Sequence, residues 1–160
     1  MNQRTNQNKD NKRLLVIGIG NPILRDDSIG LRVVQIISRM KPEVKIIEVT
    51  ESGIGLLDLI IGYEKLVIID SIKTGKNAWG HLYRLELADL KPSSNFFSSH
   101  GVDIASTIKM GNTFGYKMPM KISIYAIEIK DNTTFSEELT PEVEEKLSGI
   151  VAEIVRKEKI

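Results

Sequence analysis

The stretch RLLVIGIGNPILRDDSIGLRVVQIISRM, residues Arg13–Met40, decides the fold. It begins with a continuous apolar run, RLLVIG at Arg13–Gly18, which is typical of a strand buried on both faces. From Ile29 to Met40, apolar residues recur at spacings of three and four, which predicts one buried face of a helix that Pro42 ends. A buried strand followed by an amphipathic helix indicates an α/β protein with a parallel sheet.

The rest of the chain repeats this alternation. Strands are predicted at Val44–Val49, Leu66–Asp70, His81–Glu86 (an edge strand) and Lys121–Ile127, and helices at Gly55–Ile61, at Val102–Met110 and from Pro141 after an N-cap at Thr140. The predicted fold class is therefore α/β, a three-layer α/β/α sandwich around a mostly parallel, twisted central sheet of about five strands. Residues 13–160 are predicted to form a single domain, and the polar residues 1–12 a disordered tail.

Length and composition restrict the class of protein. At 160 residues the chain fits one domain. Its 22 basic and 21 acidic residues give a net charge of +1, which argues against electrostatic binding of nucleic acid. No apolar run reaches the roughly 18 residues that span a membrane, and the polar N-terminus does not resemble a signal peptide. The lack of cysteine predicts a cytoplasmic protein and restricts any metal ligands to oxygen and imidazole nitrogen.

Four polar residues lie next to the ends of predicted strands and helices. We expect all four to meet at one edge of the sheet. Asp26 and Asp27 come after the first strand, Asp70 ends an apolar strand, and His100 comes immediately before a helix. Ligands of open α/β sheets bind outside the carboxyl ends of the strands. Two carboxylates and one imidazole could hold a divalent metal ion there and leave positions open for substrate.

Each of these residues also has a structural interpretation. Asp26 or Asp27 could cap the following helix and favour its positive end. Asp70 could accept hydrogen bonds from loop amides, and His100 could be a structural residue near the start of a helix, which is the commoner role of a single histidine. The second histidine, His81, is interpreted as structural.

The loop Gly18–Gly30 does not match the phosphate-binding loops of nucleotide-binding proteins. Leu24 takes the place of the third glycine of a dinucleotide fingerprint, and Asp26 and Asp27 would repel a pyrophosphate. The sequence also lacks the H-E-x-x-H and G-x-S-x-G motifs of other hydrolases. We interpret the glycines as residues that let the backbone turn sharply off the first strand, and the two aspartates that follow them as a site for a cation.

The chain resembles the nickel–iron hydrogenase maturation endopeptidases. Their opening signature, G-x-G-N followed by D-D or D-E and a later glycine, corresponds to Gly18–Gly30. The resemblance continues through Leu66–Asp70, Ser99–Gly101, Ala126–Ile129 and Leu139–Val143, in the same order and spacing. It therefore covers nearly the whole chain from Arg13 onward.

This resemblance implies both a fold and a function. The fold would be an α/β/α sandwich, and the function would be removal of a C-terminal extension from a hydrogenase large-subunit precursor after nickel insertion. Asp27, Asp70 and His100 match the family's metal-binding and catalytic residues. The nickel would be carried by the precursor and would be bound weakly or not at all by the isolated protein. The alternative is a non-catalytic assembly factor, which would bind the nickel-loaded precursor through the same residues.

The chain departs from the family pattern at three places. Thr50–Gly55 replaces a D-G-G-T-x-G-like turn, Ser28 stands where glycine is usual, and Ile127–Ile129 replaces I-E-P. The altered turn is expected near the substrate, so the client hydrogenase stays open, as does the oligomeric state, for which a monomer is one option. A more remote resemblance to spore germination proteases matches the motifs less well.

Overall fold

The structure, a computed structural model, describes residues 13–50, 55–90 and 99–160, and for residues 99–103 it describes the backbone alone. The predicted tail, residues 1–12, and most of the altered turn, residues 51–54, lie outside the described residues. The single-domain prediction therefore stays a prediction. Among the described helices, none combines the length and the apolar composition that crossing a membrane requires.

Strands and helices alternate along the described chain. The strands are β1 (Leu14–Ile19), β2 (Lys45–Val49), β3 (Lys65–Ile72), β4 (Leu82–Leu85) and β5 (Lys121–Glu128). The helices are α1 (Ile29–Met40), α2 (Gly55–Ile60), α3 (Ser99–Thr113), α4 (Pro141–Glu144) and α5 (Leu147–Glu158), with short 3-10 turns at Arg25–Ser28 and Leu87–Asp89. Each predicted strand is therefore present, with small shifts at its ends.

The five strands form one sheet in the order β2-β1-β3-β5-β4. The first four strands in this order run parallel to one another, and β4 pairs antiparallel with β5 at the edge. The carboxyl ends of β1, β3 and β5, the three central strands, consequently lie side by side. The predicted edge position of the fourth strand is confirmed.

Helices cover both faces of the sheet. Side chains of α1, α4 and α5 form one apolar cluster with one face, and side chains of α2 and α3 form a second cluster with the other face. Neighbouring residues of β1 belong to different clusters, since Val16 is in the first and Leu15 and Ile17 are in the second. This alternation explains the continuous apolar run in the sequence. The predicted three-layer α/β/α sandwich is confirmed.

The prediction that the third strand ends at Asp70 is wrong. β3 continues to Ile72, because Ser71 and Ile72 are buried and pair with Ile127 and Glu128 of β5. Two polar residues within an apolar run therefore do not mark the end of this strand. Asp70 itself is only 4% exposed.

Two helix predictions also need correction. α3 begins at Ser99 and not at Val102, so His100 lies in its first turn and not before it. The last helix is divided into α4 and α5 by the residues between Glu144 and Leu147. Thr140 is the N-cap and Pro141 occupies the first turn, as predicted, but the Thr140 side chain makes no capping hydrogen bond. The hydroxyl of Thr140 has a different partner, described below.

The three glycines of the opening loop allow close contact between backbones. None of Gly18, Gly20 and Gly30 has a positive φ, so the predicted sharp turn off β1 does not use the left-handed conformations that glycine allows. A Cβ atom added at Gly20 would lie 2.2 Å from the carbonyl oxygen of Asp27, and one added at Gly18 would lie 2.5 Å from the carbonyl oxygen of Gly30. The missing side chains let the end of β1 pack directly against the turn and the first residues of α1.

Candidate functional site

Both neighbouring aspartates lie in the 3-10 turn between β1 and α1, at the carboxyl edge of the sheet. The preceding loop has its own hydrogen bonds, since Asn21 Oδ1 accepts one from the Ile23 N–H at 3.1 Å. Asn21 also donates its backbone N–H to Asp27 Oδ2 at 3.0 Å. The loop therefore holds one oxygen of Asp27 from the side of β1. The α1 N-cap is Ser28, without a side-chain capping bond, so neither aspartate caps this helix.

Ser71 brings Asp27 and Asp70 together. Its hydroxyl donates a hydrogen bond of 2.7 Å to Asp27 Oδ1, and its backbone N–H donates one of 2.8 Å to Asp70 Oδ1. Asp27 and Asp70 thus both accept a hydrogen bond from Ser71, one from its hydroxyl and the other from its backbone N–H. Carboxylates that lie near each other repel, and a bound cation relieves such repulsion. Asp27 is half-buried, and its two described hydrogen bonds occupy two of the roughly four acceptor positions of a carboxylate.

Asp26 has a different role from its neighbour. It is 0% exposed, and its carboxylate accepts backbone N–H bonds from Lys130 (3.1 Å), Asp131 (2.9 Å) and Thr140 (2.7 Å). The Thr140 hydroxyl also lies within 2.9 and 3.0 Å of the two carboxylate oxygens. Charge-assisted bonds of this kind are stronger than neutral ones. Asp26 therefore joins the turn before α1 to the segment between β5 and α4.

The same segment also holds the backbone of the turn. Ser136 donates its N–H to the carbonyl of Ile23 and accepts the N–H of Arg25, both at 3.0 Å. Arg25 has a φ of 45°, a left-handed conformation that costs about 1 kcal/mol or more for a residue with a side chain. These hydrogen bonds stabilise the conformation of the 3-10 turn. Asp27, which lies in this turn, is thereby held next to Ser71.

We expect Asp26→Asn to lower the free energy of unfolding by about 2–4 kcal/mol. An amide nitrogen cannot accept the N–H groups that one carboxylate oxygen accepts now, so at least one buried donor would lose its partner. Urea unfolding measures the effect. The control is Asp131→Asn in the same segment, because Asp131 also accepts bonds from Thr133 and Thr134 but is open to water and should change stability much less. Equal effects of the two substitutions would contradict the structural role of Asp26.

Glu128 of β5 holds the segment that directly follows β3. It is 1% exposed and accepts hydrogen bonds from the N–H groups of Thr74 (2.8 Å) and Gly75 (2.9 Å) and from the hydroxyls of Thr74 and Tyr83. Burial alone would raise the pKa of Glu128, but these hydrogen bonds outweigh burial and the pKa lies below its ordinary value. The charged carboxylate of Glu128 therefore connects Thr74 and Gly75, which follow β3, with Tyr83 of β4.

His100 is in the first turn of α3. Because α3 leads into the start of β5, a strand parallel to β3, the first turn of this helix lies towards the carboxyl edge of the sheet. Among the side chains that the structure describes, no three of His, Asp and Glu could together hold a metal ion. The His100 side chain is outside that set, so the three-ligand site of Asp27, Asp70 and His100 stays a prediction.

Sequence reasoning missed three polar residues of this region: Ser71, Glu128 and Thr140. The signal for Glu128 is the one that identified Asp70, an acidic residue in an apolar strand run. Ser71 directly follows Asp70, and a polar pair inside an apolar strand is unusual. Thr140 was assigned to a helix cap, and its bond to Asp26, 114 residues away, has no local signal. The His81 ring packs edge-on against the Tyr83 ring, with 4.7 Å between the ring centroids, which agrees with the interpretation of His81 as structural.

The comparisons with known proteins agree on one family. The sequence model described as hydrogenase maturation protease matches residues 31–157. The hydrogenase 2 maturation protease of Escherichia coli (strain K12) is 26% identical over 147 residues, which cover 89% of this chain and 88% of that protein. The match to the family includes Asp70 and His100 and begins directly after the loop that contains Asp27.

Solved structures share the fold over almost the whole chain. The hydrogenase-maturating endopeptidase HybD from E. coli superposes with a TM-score of 0.75 at 26% identity and covers 91% of this chain and 93% of its own. A hydrogenase 2 maturation peptidase from a Thaumarchaeota archaeon gives a TM-score of 0.64 at 27% identity, with 91% and 97% covered. Since the family match spans well over half of the sequence, this chain belongs to the hydrogenase maturation protease family and is an enzyme of the protease class.

Proposed function

We propose that this protein is an endopeptidase that removes the C-terminal extension of a nickel–iron hydrogenase large-subunit precursor once nickel has been inserted. The nickel carried by the precursor serves as the recognition signal. Asp27, Asp70 and His100 are the proposed ligands that meet this substrate-borne ion. Membership of the protease family favours this function over that of a non-catalytic assembly factor.

The observation that carries the proposal is the pair of carboxylates joined by Ser71. Asp27 and Asp70 come from different elements, a turn and a strand, and both accept hydrogen bonds from this one residue. The pair lies at the carboxyl edge of a parallel sheet, where α/β proteins bind their ligands. Peptide hydrolysis needs a polarised carbonyl group, and a metal ion between the substrate and these ligands can supply that polarisation.

The chemistry of the ligands supports nickel as part of the substrate. Carboxylate oxygens are hard ligands, whereas nickel prefers nitrogen and sulfur, and this chain has no cysteine. Two carboxylates and one imidazole also leave coordination positions open. A precursor that already holds nickel would present the ion in place, which removes much of the cost of assembling the site.

Exposed apolar side chains near the carboxylates fit a polypeptide substrate. Ile23 is 48% exposed, Trp79 is 43% exposed and Phe135 is 80% exposed. Ile23 and Phe135 lie on the two segments that are hydrogen-bonded through Ser136, and the Trp79 ring packs 4.6 Å from the ammonium group of Lys130. Exposed apolar side chains of this kind favour contacts with another protein.

The test is the mass of the large subunit after incubation with this protein. We expect cleavage of nickel-loaded precursor, no cleavage of nickel-free precursor, and full activity of protease that was treated with chelator and then freed of it. The physical reason is that the metal ion arrives with the substrate. Binding of the loaded precursor without any loss of mass would identify an assembly factor. Efficient cleavage of nickel-free precursor, or inactivation by chelating the protease alone, would refute substrate-borne nickel as the signal.

A further inference from the structure

We propose that Ser71 is a positioning residue that sets the geometry of Asp27 relative to Asp70 and thereby the affinity of this pair for a cation. The inference rests on the proposed function in so far as the pair meets a metal ion. Ser71 would not contact the ion or the scissile bond. It would act only through the two carboxylates.

Ser71 is fixed more firmly than Asp27. It lies on the central strand β3, in register with Ile127 of β5, and is only 7% exposed. Its two donors, the backbone N–H and the hydroxyl, thus start from a backbone position that the sheet defines. Asp27, by contrast, projects from a 3-10 turn. The Ser71 hydroxyl donates a hydrogen bond of 2.7 Å to Asp27 Oδ1, so the Asp27 side chain is held by a residue whose backbone is fixed in the sheet.

The second oxygen of Asp27 is held from the opposite side by the N–H of Asn21. With one donor on each oxygen, the plane of the carboxylate is restricted and the remaining lone pairs have defined directions. Residues that orient metal ligands in this way typically change metal affinity by about 10–100-fold when they are replaced. We expect an effect of that size for the hydroxyl of Ser71.

Ser123 offers a matched control. It is also a serine on a central strand of the same sheet and is also 7% exposed. It pairs with Val67, three positions before Asp70, and its hydroxyl accepts a bond from Arg84 and donates one to Glu158, so its described partners do not include Asp27 or Asp70. Ser71→Ala and Ser123→Ala therefore remove the same atom from similar surroundings, and only one of them touches the carboxylate pair.

The experiment is a titration of the purified full-length variants with Co²⁺ alone, at protein and ion concentrations high enough to measure the weak binding that we expect of the isolated protein, followed by calorimetry or by the d–d absorption of the ion. We expect Ser71→Ala to raise the dissociation constant at least about tenfold, and Ser123→Ala to leave it unchanged. Thermal melting of the three proteins shows whether either variant has lost its fold. A merely structural serine would lower the melting temperature without a selective change in Co²⁺ affinity.

Cleavage of nickel-loaded precursor provides the second readout. If the wild-type protein leaves the precursor uncut but the Co²⁺ affinities differ as expected, the proposed function fails and the positioning role of Ser71 stands. Equal Co²⁺ affinities of wild type and Ser71→Ala overturn the positioning role, whatever the cleavage assay gives. Absence of Co²⁺ binding by the wild-type protein also overturns the positioning role, because Asp27 and Asp70 would then have no cation affinity that Ser71 could influence.

Discussion

Asp27→Asn, Asp70→Asn and His100→Ala are each expected to reduce processing of nickel-loaded precursor by about 100-fold or more. Each change removes one of only three proposed ligands, and replacement of a ligand should cost at least as much as replacement of a residue that orients one. Asp27→Asn is the sharpest of these tests, because Asp27 is half-buried and the change alters few other contacts. The measurement is the initial rate of mass loss from the precursor.

Stability has to be followed in the same variants. Asp70 is 4% exposed and accepts the Ser71 N–H, so Asp70→Asn should also destabilise the fold by about 1–2 kcal/mol. Glu153→Gln on α5 is the control for loss of one negative charge, since Glu153 pairs with Lys157 on the surface of that helix. A folded Asp27→Asn variant that cuts at the wild-type rate would remove Asp27 from the site.

Gly30→Ala is expected to lower the free energy of unfolding by about 3 kcal/mol or more. A Cβ atom at this position would lie 2.4 Å from the carbonyl oxygen of Ile19 and 2.5 Å from that of Ile69. Both oxygens belong to the backbone of central strands, which cannot move without breaking the sheet. This overlap outweighs the gain of about 1 kcal/mol that alanine normally brings to a helix.

Gly149→Ala is the matched control for this prediction. Gly149 is also inside a helix, α5, but apart from its chain neighbours and the backbone of its own helix no described atom lies within 4 Å of the position that its Cβ would take. The same substitution should therefore stabilise the protein by up to about 1 kcal/mol. Urea unfolding of both variants measures the two free energies. If Gly30→Ala proved as stable as Gly149→Ala, the close approach of α1 to β1 and β3 would be refuted.

The order of strands and helices could be predicted from the sequence because each element carries its own pattern. The apolar run at β1 and the three-four spacing of α1 are local signals, and their boundaries differ little from the structure. The end of β3 could not be predicted, since Ser71 and Ile72 remain in the sheet through pairing with residues of β5 that lie 56 positions further along the chain. The division between α4 and α5 has no sequence signal that we identify.

Sequence position also points to part of the candidate site, for the same reason. Asp27 and Asp70 were chosen from their places next to strands, and the structure joins them through Ser71. The different roles of Asp26 and Asp27 could not be predicted, because the two neighbours have the same side chain. What separates them is burial and contact with residues 130–140, which only the folded chain shows. Likewise, the glycines of the opening loop indicate an unusual backbone, but the sequence does not show that they are needed because two backbone segments lie in close contact.

The hydrogen bonds of Asp26 also determine when the site can form during synthesis of the chain. Its partners Lys130 and Thr140 lie 104 and 114 positions further along the sequence. Proteins are made from the N-terminus, so β1, α1 and β3 leave the ribosome well before the segment that fixes the turn. Contacts over such separations also form late, since they must first overcome the entropy of closing a long loop. The nascent chain therefore carries Asp27 on an unfixed turn until the segment from Lys130 to Thr140 has been made and can bind Asp26.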